Sequence, residues 1–483
     1  LATFEARHRI VETPPSTSEF TAVICRATSP IGRLNAFQRV MLQWSELHPY
    51  NAAHTYRISG PLSLQSLRQA IQDAFDHNGL GVAEIDPNGV WYRYEVEDLP
   101  HPPEIEVVAG EESPENRLAA HMTKELNRPF ERPRCRPFRF SVVDAGPTSH
   151  YVSLIYDHWA ADSVGARLVM RHVLGRYLDL DIPENEEPLD LYPGTYREVF
   201  AHRLQGHHLA WPMLRSMRSW LDNRSTWRVA YASARQIATG YALHPVRPGA
   251  VQDIRQFARE NEASVNDVFL AALCRAMAPF LPKRSAKAKS HDMTLGTIVD
   301  TRADASEDLS ESLGTFLGYY LVRVAGDGNV GLDELTRRIA VVTSGKKQRR
   351  SYLDSAVNLR MASAIWPRLK PESRAHFARQ ALPLTAGISN VHLRGTWIER
   401  QGAGRILDFS RAASNGPSLP LVLSPTTIRD QMNIAVSYRA TGFSQSKIDG
   451  IMQLFVEQLE TLGNQVEVQR KPARAPAKAT CAA

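Results

Sequence analysis

The sequence predicts a mixed α/β protein built as two large lobes. Three observations carry that expectation: 483 residues exceed what one small core accommodates, strand and helix patterns mingle in both halves, and a Pro/Glu-rich stretch from Ile182 to Pro193 separates them. The expected division is an arm over 1–30, a first lobe over 31–181, a linker and helical connection over 182–249, a second lobe over 250–465, and a disordered basic Pro/Ala tail over 466–483.

The arm is either loose or a short hairpin of Phe4 to Val11 with Phe20 to Arg26. Asn35 to Leu47 has helical spacing, Ala53 to Ser59 alternates as a strand, and Gly60-Pro61 turns the chain towards Ser63, placed to cap a helix through Phe75. Val90 to Val96 reads as a strand, Glu115 to Leu126 as a helix, and Pro137 to Val143 with His150 to Tyr156 as a strand pair. Val164 to Leu178 is an amphipathic helix, and Ile182 to Pro193 reads as a surface linker. In the second lobe, helices at Ala250 to Glu260 and Val265 to Phe280 precede strands at Thr294 to Asp300 and Tyr319 to Val324. Helices at Leu332 to Ser344 and Ser355 to Trp366 follow, then strands at Thr385 to Val391, Arg405 to Phe409, Leu419 to Ser424 and Met432 to Tyr438, and a helix from Ser444 to Leu462. The basic runs Lys283 to Lys289 and Lys346 to Arg350 read as solvated loops, a partner-docking patch being the alternative.

Composition excludes several classes. A hydrophobic fraction of 43% with 22% charged residues is that of a globular protein, not a fibre. No apolar run is long enough to span a bilayer, and the first residues carry charges instead of an apolar leader, so a cytoplasmic protein is expected. Four cysteines without a Cys-x-x-Cys pair argue against a disulfide framework and a zinc site, and no metal is expected. The net charge of +6 owes much to Arg470, Lys471, Arg474 and Lys478 in the tail, so nucleic acid is not an expected partner.

The sharpest local signal is the run Tyr156-Asp157-His158-Trp159-Ala160-Ala161-Asp162-Ser163. An apolar strand ends at His158 and small residues turn the chain into a helix, which sets an imidazole at a strand end where a cleft can form. Histidine suits proton transfer near neutral pH, and the Asp162 carboxylate lies close enough to fix the turn. Any strand-to-helix corner can carry both residues, so spacing alone does not decide the role.

This run resembles the His-His-x-x-x-Asp-Gly motif of the condensation-domain superfamily, which includes condensation domains of nonribosomal peptide synthetases, polyketide-associated acyltransferases and wax ester synthases. The resemblance extends over roughly 34–462. Ser264-Val265-Asn266-Asp267 resembles a helix entry of the family, Ile298-Val299-Asp300-Thr301-Arg302 its strand ending in Arg, and Leu313 to Gly318 its Gly-Asn-Phe segment. Ile388-Ser389-Asn390-Val391 resembles its Ser-Asn strand, and Asn433 to Gly450 its last strand and helix. Two departures stand out: the first motif histidine is Asp157, and the closing glycine is Ser163.

The resemblance implies two chloramphenicol-acetyltransferase-like lobes in a V, with a tunnel between them. It implies catalysis by His158 and an organising Asp162 salt-bridged to an arginine, for which Arg302 is the candidate; the alternative is that Arg302 lies exposed at a strand end. Asp157, Trp159, Ser389 and Asn390 are the candidate substrate contacts, Ser389 and Asn390 otherwise serving only backbone groups. The implied activity is acyl transfer by a free-standing, monomeric condensation enzyme. The donor would be a thioester on the phosphopantetheine arm of an acyl or peptidyl carrier protein, the acceptor a small amine or alcohol, and no cofactor would be permanently bound. A CoA-dependent O-acyltransferase and a silent scaffold that docks carrier proteins are the alternatives. The tetrahedral oxyanion would need donors, for which backbone N–H groups in the turn after His158 are candidates.

Other motifs carry weaker readings. Gly326-Asp327-Gly328-Asn329-Val330-Gly331 matches a dinucleotide fingerprint, but Asp327 would meet the pyrophosphate and no acidic residue follows at the right distance. Asp162-Ser163 resembles a carrier attachment site only faintly, because Ser163 follows an apolar strand. His207-His208 lacks an Asp at motif distance, and Asp408-Phe409-Ser410 departs from the signature of the plant acyltransferase branch.

Overall fold

The computed structural model describes residues 30–86, 88–95, 103–180, 186–200, 210–230, 238–281, 292–326, 330–400 and 402–463. The expected arm, the basic run Lys283 to Lys289, His207-His208 and the Pro/Ala tail lie outside these residues. None of the described helices is long and apolar enough to cross a membrane.

The first half is organised by a five-stranded sheet in which β2 (Asn51–Ser59) pairs with β8 (Ser149–Asp157), and β8 with β7 (Phe138–Asp144). β5 (Ile105–Val107) runs parallel to β7 at one edge. All nine residues of β8 are buried. A strand covered on both faces reads as a continuous apolar run, which is why His150 to Tyr156 shows little alternation. The helices Leu64–Asn78 and Ser163–Tyr177 pack together. The helix Pro114–Asn127 contributes Leu118, Met122 and Leu126 to a separate cluster with Ala53, Tyr151 and Ile155. Capping fixes the helix starts: Asn35 accepts from Gln38 N, Ser63 from Ser66 N, and Asp162 from Val164 N and Gly165 N. A small sheet of β1 (Gly32–Arg33), β3 (Val82–Ile85), β4 (Trp91–Glu95) and β6 (Arg134–Cys135) completes this half.

The second half is built on a seven-stranded sheet with the path β11 (Leu317–Val324), β10 (Met293–Asp300), β12 (Ala386–Ile388), β15 (Leu421–Ile428), β16 (Gln431–Arg439) and β9 (Thr239–Pro245); β13 (Val391–Leu393) pairs β15 off this path. The helix Val265–Met277 is almost wholly buried among the helices Ala250–Glu260, Leu332–Gln348 and Gln445–Glu460. That environment accounts for its all-round apolar composition.

Several expectations are corrected. β9, expected within the connection, is an edge strand of the second sheet. The expected strand Thr385 to Val391 is two strands, β12 and β13, interrupted at Ser389-Asn390. Lys346 and Lys347 lie on the last turn of the helix Leu332–Gln348 and not in a loop, where basic residues complement the helix dipole. The helix Pro371–Ala381 has only Ala378 buried, so it offered no apolar stripe to read. Within the expected surface linker, Leu189 and Leu191 are buried, and Asp190 bridges to Ser312 through Asp190 N to the Glu311 carbonyl and Leu313 N to the Asp190 carbonyl.

Two of the features that join the halves bear on the site. The strand β14 (Ile406–Ala412), late in the chain, crosses to pair antiparallel with β2 and closes the edge of the first sheet. Where the crossing chain passes the helix Ser163–Tyr177, Ala403 N donates to the Leu178 carbonyl, and a Cβ at Gly402 would collide with that same oxygen. The other join is ionic. Asp162, fully buried, accepts from Arg302 Nη1 at 2.7 Å and Nη2 at 3.1 Å, and from Phe316 N at 2.9 Å.

Removing one partner of such a buried pair leaves a charge without compensation. Asp162→Asn is therefore expected to lower unfolding stability by about 3–5 kcal/mol in urea titrations, with part of the loss recovered in Asp162→Asn/Arg302→Met. An unchanged urea midpoint would show that the pair does not hold the halves together. Gly402→Ala is expected to cost about 1–3 kcal/mol in the same assay by forcing the crossing segment off the Leu178 carbonyl.

Candidate active site

The turn between β8 and the helix Ser163–Tyr177 is held from both sides. His158 N donates to the Tyr50 carbonyl, Gln38 Nε2 to the Trp159 carbonyl, and Thr315 Oγ1 to the carbonyls of His158 and Trp159. Asp162 N donates to the Gly314 carbonyl, so the segment 314–316 of the second half grips the turn through backbone and side chain together.

Within this frame the His158 ring lies 3.0 Å, through Nδ1, from the Ala161 carbonyl. A carbonyl can only accept, so Nδ1 carries the proton and Nε2 keeps its lone pair. Burial pushes the imidazole below its ordinary value, outweighing the Ala161 bond and the Asp162 charge, and the ring is neutral at pH 7. It lines a cavity of about 160 Å³ between the halves, with Phe37, Val40 and Tyr156 from the first and Ile298, Leu317 and Leu384 from the second. Apart from His158, the polar groups on its wall include His54, Ser163, Ser389 and Arg411.

Asp162 does not touch the cavity. Burial pushes its carboxyl up, but Arg302 and the amides of Gly165 and Phe316 outweigh that and hold it below the usual carboxylate range. Arg302 is itself buried, donating also to the carbonyls of Leu309 and Ser312, so the alternative of an exposed strand-end arginine is excluded. Ser389 is on the cavity wall, where its Oγ accepts from Arg411 Nη2 at 3.2 Å. Its neighbour Asn390 is exposed and does not line the cavity.

Two expected substrate contacts are placed elsewhere. The Asp157 side chain is buried 3.4 Å from Arg132 Nε, and burial raises its pKa, which Arg132 and Arg139 partly offset. Trp159 is fully buried with its ring against Tyr92, 5.5 Å between centroids. Neither lines the cavity, because residues flanking His158 in an extended turn point away from it. Of the expected oxyanion donors, two are engaged elsewhere: Ala160 N donates to the Asp157 carbonyl and Asp162 N to that of Gly314. Arg411 was not singled out, since Arg411-Ala412-Ala413 carries no motif; only the pairing of β14 with β2 brings it to the wall.

Of the remaining motifs, residues 327–329 of the glycine-rich run lie outside the described residues. The helix after Gly331 begins with Asp333 and Glu334, whose charge opposes a phosphate at that end. Ser163 accepts from Arg411 Nη1 at 3.1 Å and lies 3.3 Å from His54 Nε2, an enclosed setting for a carrier attachment serine. Two groups with metal-ligand chemistry, His77 with His172 and Glu186, and Glu106 with His121 and Glu125, have their carboxylates paired to Arg171 and Arg176, and to Lys124 and Arg139. Those cations occupy the charge a metal would need.

Comparison with known proteins completes the description. The model of the condensation-domain family matches residues 32–352. The fold is similar to that of a trichothecene 15-O-acetyltransferase from Fusarium sporotrichioides, with a TM-score of 0.67 at 13% identity over 89% of this chain and 95% of that one. It is similar to the first condensation domain of the calcium-dependent antibiotic synthetase in complex with a substrate analogue, with a TM-score of 0.65 at 14% identity over 90% and 96% of the two chains. It is similar also to the condensation domain of the monacolin K polyketide synthase MokA, with a TM-score of 0.62 at 13% identity over 90% and 99%. No curated protein matches the sequence. With two thirds of its length matched by the family model, and with the fold those structures share, the chain belongs to the condensation-domain family.

Proposed function

We propose that this protein transfers an acyl group from a thioester to an amine or hydroxyl acceptor, with His158 as the group that takes the acceptor's proton. The observation that carries the proposal is the His158 ring itself: Nδ1 is committed to the Ala161 carbonyl, and the ring faces an apolar cavity between the halves. Attack on a thioester carbonyl requires the acceptor to lose a proton, and a neutral imidazole with a free Nε2 accepts it. The proton then serves the departing thiolate, and no covalent enzyme intermediate is needed. The apolar wall excludes water from the thioester, which favours transfer over hydrolysis.

The proposed donor is an acyl group on the phosphopantetheine arm of a carrier protein. Likeness to condensation domains supports it, while likeness to an O-acetyltransferase supports a CoA thioester as the second reading. Intact-protein mass spectrometry of an acylated carrier, offered beside the matching acyl-CoA, separates them by which donor loses its acyl group.

His158→Ala is expected to reduce turnover by about 10²–10⁴-fold with the thermal midpoint little changed. Product formation at the wild-type rate in a folded His158→Ala protein removes the assignment of His158, whereas carrier binding without turnover that the substitution leaves unaffected favours a docking scaffold. The pH dependence has a defined sign. Because burial lowers the His158 pKa, the active neutral ring persists below the ordinary value, and the acid limb of kcat/KM is expected to be centred below about 6.5. An acid limb centred above the ordinary histidine value would contradict a buried base.

A further inference from the structure

Arg411 lies on β14 opposite His54 of β2, on the wall of the cavity that His158 lines. Only 4% of it is exposed. Its terminal nitrogens donate to neutral oxygens, Ser163 Oγ and the Ser389 carbonyl and Oγ, and its Nε has no partner. Among the described residues it makes no ion pair with a carboxylate; the groups that act on it are Tyr156, Arg167 and Tyr56. Burial pushes the guanidinium down to about 10, so it still carries its charge at neutral pH.

A charged side chain that acts on Arg411 is a second cation, Arg167, while the carboxylate beside Ser163, that of Asp162, is engaged by Arg302 and by the first amides of the helix Ser163–Tyr177. Arg167 Nε donates to the Ser163 carbonyl from one turn further on, and His54 Nδ1 is buried without a partner. A buried guanidinium held only by neutral oxygens is costly, and an arriving anion removes that cost. Arg302, equally buried, already has its carboxylate in Asp162.

We infer that Arg411 anchors a carboxylate on the acyl acceptor, so that the acceptor is an amino or hydroxy acid with an apolar body. The inference names the substrate class for the reaction proposed above and rests on that reading. For a monocarboxylic donor the carboxylate belongs to the acceptor, because that donor's only carboxyl carbon is engaged as the thioester, whereas the acceptor reacts through nitrogen or oxygen and keeps its carboxyl free. The acceptor lone pair forms the C–N or C–O bond, the C–S bond breaks, and the acceptor's proton passes through His158 Nε2 to the thiolate. The acceptor carboxylate is unchanged, and the product leaves as an acylated acid. A planar guanidinium suits this contact because it can offer a carboxylate two parallel N–H donors.

The test measures binding of octanoate, octanamide and octanol to the full chain by isothermal titration calorimetry. Octanoate is expected to bind wild type about tenfold more tightly than either neutral probe. Arg411→Met is expected to abolish that preference while keeping octanamide affinity within about twofold, and Arg411→Lys to retain part of it. Equal affinity of the wild-type protein for all three probes overturns the inference without recourse to any variant, so poor folding of Arg411→Met does not protect it. A preference for octanoate that survives in folded Arg411→Met overturns it as well. The assay contains no thioester and no turnover, so its outcome is read independently of whether His158 supports transfer.

Discussion

The Asp162 carboxylate accepts five hydrogen bonds, two from the first turn of its own helix and three from the second half of the molecule. One side chain thereby caps the helix Ser163–Tyr177, neutralises Arg302 and fixes the segment 314–316 against the turn that carries His158. A carboxylate withdrawn from water is tolerable only when its lone pairs are filled, and here the donors that fill them come from elements far apart in sequence. The consequence is geometric. The His158 ring cannot shift relative to the wall contributed by Ile298 and Leu317 without breaking bonds to a buried charge.

The two buried arginines near this turn illustrate how partners set the state of a charge. Arg302 meets a carboxylate and its pKa is raised despite burial, whereas Arg411 meets hydroxyls and a carbonyl and its pKa is lowered. The first is a completed structural pair; the second faces the cavity that His158 lines. His158 is tuned by the same low-dielectric setting in the direction that keeps it uncharged, with its Nε2 lone pair unprotonated. A largely apolar wall therefore strengthens each of its few polar groups, as expected where competing water is excluded.

Much of the architecture was legible because local rules governed it. Asn35, Ser63 and Ser444 mark helix starts by side chains that bond the third residue on, and the pairing of β7 with β8 follows from a turn-rich segment between two apolar runs. The strand-to-helix corner at His158 was legible for the same reason. The Asp162–Arg302 pair spans 140 residues, and only resemblance to a family pointed to it. What was missed depends on long-range packing. β9 is an edge strand with mixed burial, the helix Pro371–Ala381 is mostly exposed, and Asp157 and Trp159 are enclosed by elements that no local pattern announces. Arg411 was invisible because its environment is created by β2, which precedes it by more than three hundred residues.

The crossing of β14 has a bearing on how this chain can be divided. The family match ends at 352, yet the sheet that carries the His158 corner is closed by residues 406–412. A fragment cut after the matched region would retain β2, β8, β7 and β5 but leave the outer edge of β2 with open amides and carbonyls, a template for pairing with a second chain. The cooperative unit is thus longer than the region that sequence relatives share, and excising the first half alone would replace an internal strand partner with an intermolecular one.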